Sequence, residues 1–402
     1  MRALILTALA ALVSSATIQA AGPIVVANSD STTVVRLQLA TQLWTVWESE
    51  DPGGVTERDP ALSMRAKRVR PSFTVTLPKY HTDFRLLLSA APGSLELMDM
   101  YLNSRLSSNL SVRFGQYKVP FTRYRIQSLH RLTFVDWSIV SRYFGAERQL
   151  GLTVHNGYDK PPRLAYALGL FTGVGMRASH AVGLATAYGE ELINYSDLTG
   201  SATNAEFHPE LIAHLSFNAH GIDVKTDSDP EGGGLRYTLA ASVAWDLDPN
   251  HYEDFALRIA PEVLMKYRHF SMTGVGYAAF EEIDCSQRTR LALSGFLLQS
   301  AWRASGLCEF SLRYALVDID GHVADVALER AAAIVDGTDD PEVVSQYKNA
   351  GKLLSDREGT VGFNLYLDDG LRMQNDFGIT RHEFRDEDRT DYLFRSQIQL
   401  MF

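Results

Sequence analysis

The sequence predicts an all-β protein, a transmembrane antiparallel β-barrel of about sixteen strands whose third outer loop folds inward. Three observations carry that prediction. Segments of about ten residues alternate apolar with polar side chains and are separated by turn residues, the period and length of a tilted strand crossing a bilayer. The connections between them alternate between tight and long, as in barrels with short periplasmic turns and longer external loops. The last segment puts Tyr392, Phe394, Ile398, Leu400 and Phe402 on one parity and Arg395, Gln397 and Gln399 on the other, a lipid face and a wet face in one strand.

Taken in order, residues 1–20 read as a secretory signal peptide: Met1-Arg2, the apolar run Ala3 to Val13, then small residues up to Ala20 or Ala21. That run is too short to span a bilayer, and nothing downstream approaches the roughly 20 apolar residues that a membrane helix needs. Residues 21–33 are expected to be a periplasmic amino-terminal segment and residues 34–402 the barrel. The first strand, Val34 to Trp47, sets Val35, Leu37, Leu39 and Leu43 against Arg36, Gln38, Ala40 and Gln42. Ala66 to Leu77 sets Arg68, Arg70, Ser72, Thr74 and Thr76 against Val69, Phe73, Val75 and Leu77, and His81 to Ala90 sets Asp83, Arg85 and Ser89 against Phe84, Leu86 and Leu88. Strands follow near Leu95 to Asn103, Leu110 to Tyr117, Arg148 to His155, Arg163 to Thr172, Glu210 to Asn218 and Leu235 to Asp246. The remainder lie near Phe255 to Lys266, Phe270 to Glu281, Arg288 to Arg303, Glu309 to Val317, Gly359 to Leu367, Leu371 to Arg381 and Asp391 to Phe402. A terminal phenylalanine of this kind is expected to engage the barrel-assembly machinery.

The odd, outer connections include Glu48 to Ala61, Lys118 to Glu147, Gly173 to His208 and Asp318 to Glu358, all long; the even, periplasmic ones include Pro78 to Tyr80, Leu106 to Asn109, Ala304 to Leu307 and Asp368 to Gly370, all tight. Ala219 to Gly234 breaks the alternation, and a strand miscounted nearby would explain it. Within the long acidic connection, Ala324 to Val335 has the composition of a short helix. A soluble β-sandwich would share the short alternating strands, but it requires neither the terminal Phe nor the alternation of loop lengths.

A formal charge of −10 argues against a nucleic-acid binder. The chain has no CxxC, HExxH, GxSxG, Walker A or GxGxxG motif, so no enzyme, cofactor or metal site is expected. His155, His208, His214, His269, His322 and His382 are scattered, with no spacing that suggests a base and its orienting carboxylate. Cys285 in an outer loop and Cys308 near a periplasmic turn should lie about a bilayer apart, beyond the roughly 7 Å between Cα atoms that a disulfide tolerates.

About sixteen strands enclose an aqueous channel, so the inward residues decide function. Arg36, Arg68, Arg70, Arg85, Arg113, Arg236, Arg258, Arg313, Arg372 and Arg395 fall on the polar face of their strands, against mainly Asp83, Asp99, Glu262 and Asp376. The third loop adds Lys118, Arg123, Arg125, His130, Arg131 and Arg142, with Phe121, Tyr124, Phe134, Trp137, Tyr143 and Phe144 apolar enough to hold it inside the barrel. Guanidinium groups present a planar fork of donors suited to oxyanions. Lys118, Arg113, Arg123, Arg125, Arg131, Arg68, Arg70, Arg85, Arg36, Arg313 and Arg395 are therefore the candidate anion pathway. A surface loop against lipopolysaccharide phosphates or a neighbouring subunit is the alternative for the basic loop.

Several stretches resemble the phosphate-selective porins O and P: Leu97-Met98-Asp99-Met100-Tyr101-Leu102, then Val112 to Phe121 with its Gly115-Gln116-Tyr117-Lys118 and Pro120-Phe121. Arg148-Gln149-Leu150-Gly151-Leu152, Ala165 to Gly173, Val361 to Leu367 and Arg395 to Phe402 extend the likeness. The resemblance implies a homotrimeric sixteen-stranded outer-membrane barrel, an inward third loop, and basic residues that bind and pass small anions, with Lys118 and Arg113 at matching motif positions. The long acidic connection Asp318 to Glu358 departs from the pattern, and acid at the mouth would repel anions. A general-diffusion porin is the first alternative; an enzyme active at the barrel rim, or an adhesin, is the second.

Overall fold

A strand facing lipid must pair every backbone N–H and C=O with neighbouring strands, because lipid offers no partner. The computed structural model, which describes residues 22–28, 30–53, 57–90, 93, 95–144, 148–157, 161–172, 209–247, 257–283, 288–337, 352–368 and 370–402, meets that requirement with one 17-stranded sheet. The strands are β1 (Ile24–Ala27), β2 (Val34–Ser49), β3 (Ala61–Leu77), β4 (Thr82–Ser89), β5 (Glu96–Ser107), β6 (Leu110–Lys118), β7 (Arg148–His155), β8 (Leu164–Phe171) and β9 (Glu210–Ala219). Next come β10 (Arg236–Asp246), β11 (Leu257–Tyr267), β12 (Phe270–Ile283), β13 (Arg288–Arg303), β14 (Cys308–Ile319), β15 (Leu353–Asp368), β16 (Leu371–Phe384) and β17 (Asp388–Met401). Each pairs antiparallel with its sequence neighbour, and β17 pairs with β2, with Gln399 opposite Gln42, so all strands except β1 close a sixteen-stranded barrel.

The short strand β1 was not anticipated. It pairs with Val34–Leu37 of β2, the stretch beyond the point where β17 stops. Phe402 and Leu39 exchange backbone hydrogen bonds of 2.6 and 3.0 Å at that point. Four residues are too few for a period of two to stand out, and what decides this pairing is the free edge of β2.

The end of the barrel carrying β1 and Phe402 is called proximal and the other end distal. At the distal end a third helix, α3 (Gly321–Asp336), fills the place expected for Ala324 to Val335. Before it in the chain come α1 (Arg123–Ile126) and α2 (Val140–Phe144), both in the connection between β6 and β7. β15 begins at Leu353 rather than near Gly359, because Ser355, Asp356, Arg357 and Glu358 are polar on both parities and give no alternation to read. The segment 173–208 and Cys285 lie outside the described residues. Cys308 carries a free thiol at the proximal start of β14.

Outward-facing positions form the apolar belt that a bilayer demands: Leu43, Phe114, Leu152, Leu168, Leu239, Leu312, Phe377 and Ile398 are all exposed. Tyr267, Phe270, Trp302 and Phe310 lie close together near the proximal rim, where an aromatic girdle meets an interface. Inside, the β6–β7 connection, over its described residues 119–144, folds into the lumen and packs Phe121, Tyr124, Val140, Tyr143 and Phe144 against inward residues of β11–β14 such as Ala260, Val275, Leu297 and Ala315. Gly295 on β13 makes room for it: a Cβ there would lie 2.3 Å from the Phe144 ring.

The connection that broke the alternation conceals no strand. β9 ends at Ala219, β10 starts at Arg236, and the proximal turn between them is itself tucked into the barrel, with Asp227, Ser228 and Asp229 buried.

Candidate functional site: a cationic lumen divided by an inward loop

Loop 119–147 is held first by its backbone. Thr122 caps α1 by accepting from the Arg125 N–H at 3.2 Å. Glu262 on β11 accepts from the N–H groups of Arg123 and Tyr124 at 2.8 and 3.0 Å, satisfying donors that a helix start leaves open. Further round the wall, side chains of β14–β16 take up loop carbonyls: Arg313 bonds Asp136 O at 2.9 Å, Asn364 bonds Thr133 O at 2.7 Å, and Arg372 and Gln374 bond Leu132 O at 3.1 and 3.0 Å. Asp376 accepts the Val135 N–H at 3.0 Å and Glu358 the Ile139 N–H at 2.7 Å. The loop is thus hydrogen-bonded to the wall as well as packed against it.

These contacts separate the inward cations into two sets. In the first, each guanidinium meets a carboxylate: Arg313 with Glu358 at 2.7 Å, Arg395 with Asp376 at 2.8 Å, Arg68 with Asp136 at 3.1 Å, and Arg258 with Glu210. Arg236 pairs with Asp229 at 2.6 Å, and Arg123 with Glu262 at 3.0 Å and Asp227 at 3.2 Å. Glu210, Glu358, Asp227 and Asp229 were absent from the sequence count of inward acids, because two of them lie at strand positions not assigned to a face and two lie in a turn.

The second set surrounds a cavity of about 380 Å³ enclosed by β2–β10, one side of loop 119–147 and residues 224–225 of the proximal turn. Arg70, Arg85, Arg113, Lys118, Arg131 and Arg148 all line it, and Asp99 is the carboxylate among its lining residues. Asp99 is engaged by Arg148 at 2.6 Å. Arg113 lies 4.4 Å over the Tyr101 ring and donates to Asn103 at 3.2 Å. Lys118 donates to the carbonyls of Arg125 and Gln127 at 3.0 and 2.9 Å, fixing the root of the loop while its side chain lines the cavity. Neither Arg70 nor Arg85 makes a hydrogen bond or ion pair among the described residues, and the buried Nε of each lacks an acceptor. A buried donor without an acceptor costs free energy.

The remaining candidates lie apart. Arg36 has inward parity but is exposed at the proximal end of β2, and Arg125 stacks 5.1 Å from the Trp137 ring inside the loop. Three contributors escaped the sequence reading. Lys67 has outward parity, but a bulge opposite Gln42 and Leu43 turns it inward to 5.5 Å from the Trp44 ring, beside Arg68 at 5.0 Å. Arg148 was visible only as a strand start, and Lys225 sits in the turn suspected of hiding a strand.

One histidine has carboxylate partners that its spacing in the sequence did not show. His382 lies between two carboxylates, Nδ1 at 2.6 Å from Asp356 and Nε2 at 3.0 Å from Asp391, and Asp356 also accepts from Tyr143 of the loop. Both ring nitrogens are engaged, so this histidine ties the loop to the wall and has no lone pair left to activate a nucleophile.

No family model and no curated protein matches the chain. Solved structures do. The outer membrane channel DcaP of Acinetobacter baumannii superimposes with a TM-score of 0.56 at 12% identity, covering 94% of this chain and 100% of that one. An anion-selective porin from Comamonas acidovorans gives 0.54 at 10% identity, covering 92% of this chain and 100% of that one. OmpF of Salmonella typhi, in complex with daunomycin, gives 0.53 at 10% identity, covering 94% of this chain and 100% of that one. The chain therefore has the fold of the outer-membrane porins, a sixteen-stranded barrel with one added strand.

Proposed function

We propose that this protein is an outer-membrane porin passing small anions by passive diffusion, with a preference for multiply charged oxyanions of the phosphate type. The observation that carries the reading is the cavity beside loop 119–147, where Arg70, Arg85, Arg113, Lys118, Arg131 and Arg148 face one carboxylate, Asp99. Charges of one sign on low-dielectric walls concentrate counter-ions, and a planar guanidinium fork fits two oxygens of an oxyanion. On this reading the proximal end faces the periplasm, the distal loops face lipopolysaccharide, and the working unit is a homotrimer, as the resemblance to the phosphate-selective porins implies. The anion-selective porin among the structural neighbours is consistent with it at the level of fold.

General diffusion without phosphate preference has one specific observation in its favour: exposed Asp325, Glu329, Asp336, Asp386 and Asp388 put acid at the distal mouth. Single-channel reversal potentials in a planar bilayer under a KCl gradient, with phosphate titrated in, separate the two. Reversal near the chloride potential with current blocked by phosphate supports the anion pathway. Cation preference, or a pore indifferent to phosphate, sinks it in favour of general diffusion.

A further inference from the structure

Loop 119–147 occupies the lumen from the distal side, and the turn 220–235 occupies it from the proximal side. The turn is built to stay there. Its carboxylate Asp229 accepts from Arg236 at 2.6 Å, from the Gly232 N–H at 3.2 Å and from the His269 N–H at 3.0 Å, curling the segment inward over the β11–β12 turn. Gly232 adopts φ +66°, and a Cβ there would lie 2.6 Å from the His269 ring, so the curl requires glycine. Lys266 on β11 bonds Asp223 O at 2.7 Å, and Ser228 reaches across to Glu309 on β14. The turn also grips the loop: Arg123 donates to Asp227 at 3.2 Å and to Val224 O at 3.3 Å. Short periplasmic turns need none of these contacts, and Asp227 and Asp229 are 2% and 1% exposed, which places them within the protein rather than in periplasmic solvent.

We propose that turn 220–235 is a second constriction element, inserted from the periplasmic mouth and latched to the inward loop through Arg123, which sets the width of the exit and places Lys225 in the path of the leaving solute. The inference rests on the barrel being a channel, not on which ion it prefers. Arg123, which also lines the cavity, then acts as the clasp between two plugs, its guanidinium held by both Glu262 and Asp227.

The test compares single-channel conductance of the full chain with that of a variant lacking residues 222–232, which still allows Ala219 and Tyr237 to pair across a six-residue connection. Circular dichroism and heat-modifiable gel migration check that the barrel has formed. Conductance should rise about twofold, as expected when the narrowest section of a pore is widened. A folded deletion variant with unchanged conductance overturns the proposal and leaves the porin reading intact; no conductance from the wild-type chain overturns the porin reading instead. Should the deletion fail to fold, Lys225→Cys in a Cys285→Ser, Cys308→Ser background provides a second test. Attaching a sulfonate to that thiol from the periplasmic side should lower the anion current, and an unaltered current would refute the placement of Lys225.

Discussion

The two halves of the lumen wall are built from similar residues and put to opposite uses. Along β10–β17 the inward arginines have protein partners: Arg313, Arg395, Arg258 and Arg236 each face a carboxylate, and Arg313 and Arg372 also bond loop carbonyls. Along β3 and β4, Arg70 and Arg85 have no such partner among the described residues, and Lys118 and Arg113 line the same open space. An inward arginine is therefore not evidence of an anion site in itself. A carboxylate beside it makes it part of an ion pair within the protein, whereas Arg70 and Arg85 border the cavity without one among the described residues.

The comparison is most easily broken at Arg313, where the largest effect is expected. Arg313→Ala leaves Glu358 buried without its partner and frees Asp136 O, so barrel stability in detergent should fall by about 3–5 kcal/mol. A denaturant midpoint unchanged from wild type would mean that the closed half is not held together as described.

Arg70→Ala should behave in the reverse manner. No protein partner is stranded, so stability should hold or rise, while the phosphate concentration giving half-block should increase about tenfold or more, because a hydrogen bond to a charged group contributes about 1.5–3 kcal/mol. Equal block in the variant and in wild type would remove Arg70 from the pathway and weaken the distinction between the halves.

A third, smaller effect is expected at Gly295, where the closed half receives the loop. Gly295→Val would drive side-chain atoms into the Phe144 ring, at an overpacking cost of about 1–3 kcal/mol. The loop should loosen, giving noisier current with a higher mean. Quiet wild-type current from a folded variant would show that Phe144 docking does not position the loop.

The closed half was also the less legible in sequence. Strands along the open half, such as β3 from Arg68 to Leu77, meet lipid on one side and water on the other, so their alternation is plain. β12 and β13 meet lipid on one side and loop aromatics on the other, so Val275, Ala279 and Leu297 break the pattern and the buried face leaves no signature beyond small apolar residues. The aromatic content of the loop showed that it turns inward but could not show against which wall. Likewise, the pairing of Arg258 with Glu210 and of Arg123 with Asp227 depends on which strands and turns face each other across the lumen, and that information lies in barrel closure, not in any local spacing. Lys67 shows the remaining gap, since one bulge reverses parity without any mark in composition.

The smallest predicted effect concerns pH in the open half. His130, on the loop beside Arg70, is pushed down to about 3, first by burial and then by the positive charges of Arg70, Arg372 and Arg68, and its Nδ1 has no partner. The folded chain therefore keeps this ring neutral through the range in which the unfolded chain, at an ordinary value near 6.5, takes up a proton. A group whose folded value lies below its unfolded value is best tolerated above the unfolded value, so stability should decline as pH falls from about 8 towards 3. By pH 6 the loss from this group is about 0.8 kcal/mol. His130→Gln should remove that portion of the decline, measured as the difference in denaturant midpoints at pH 8 and pH 6 between variant and wild type. Identical declines would mean that the ring is protonated and solvated, and that the cations of the open half are too well screened to repel it.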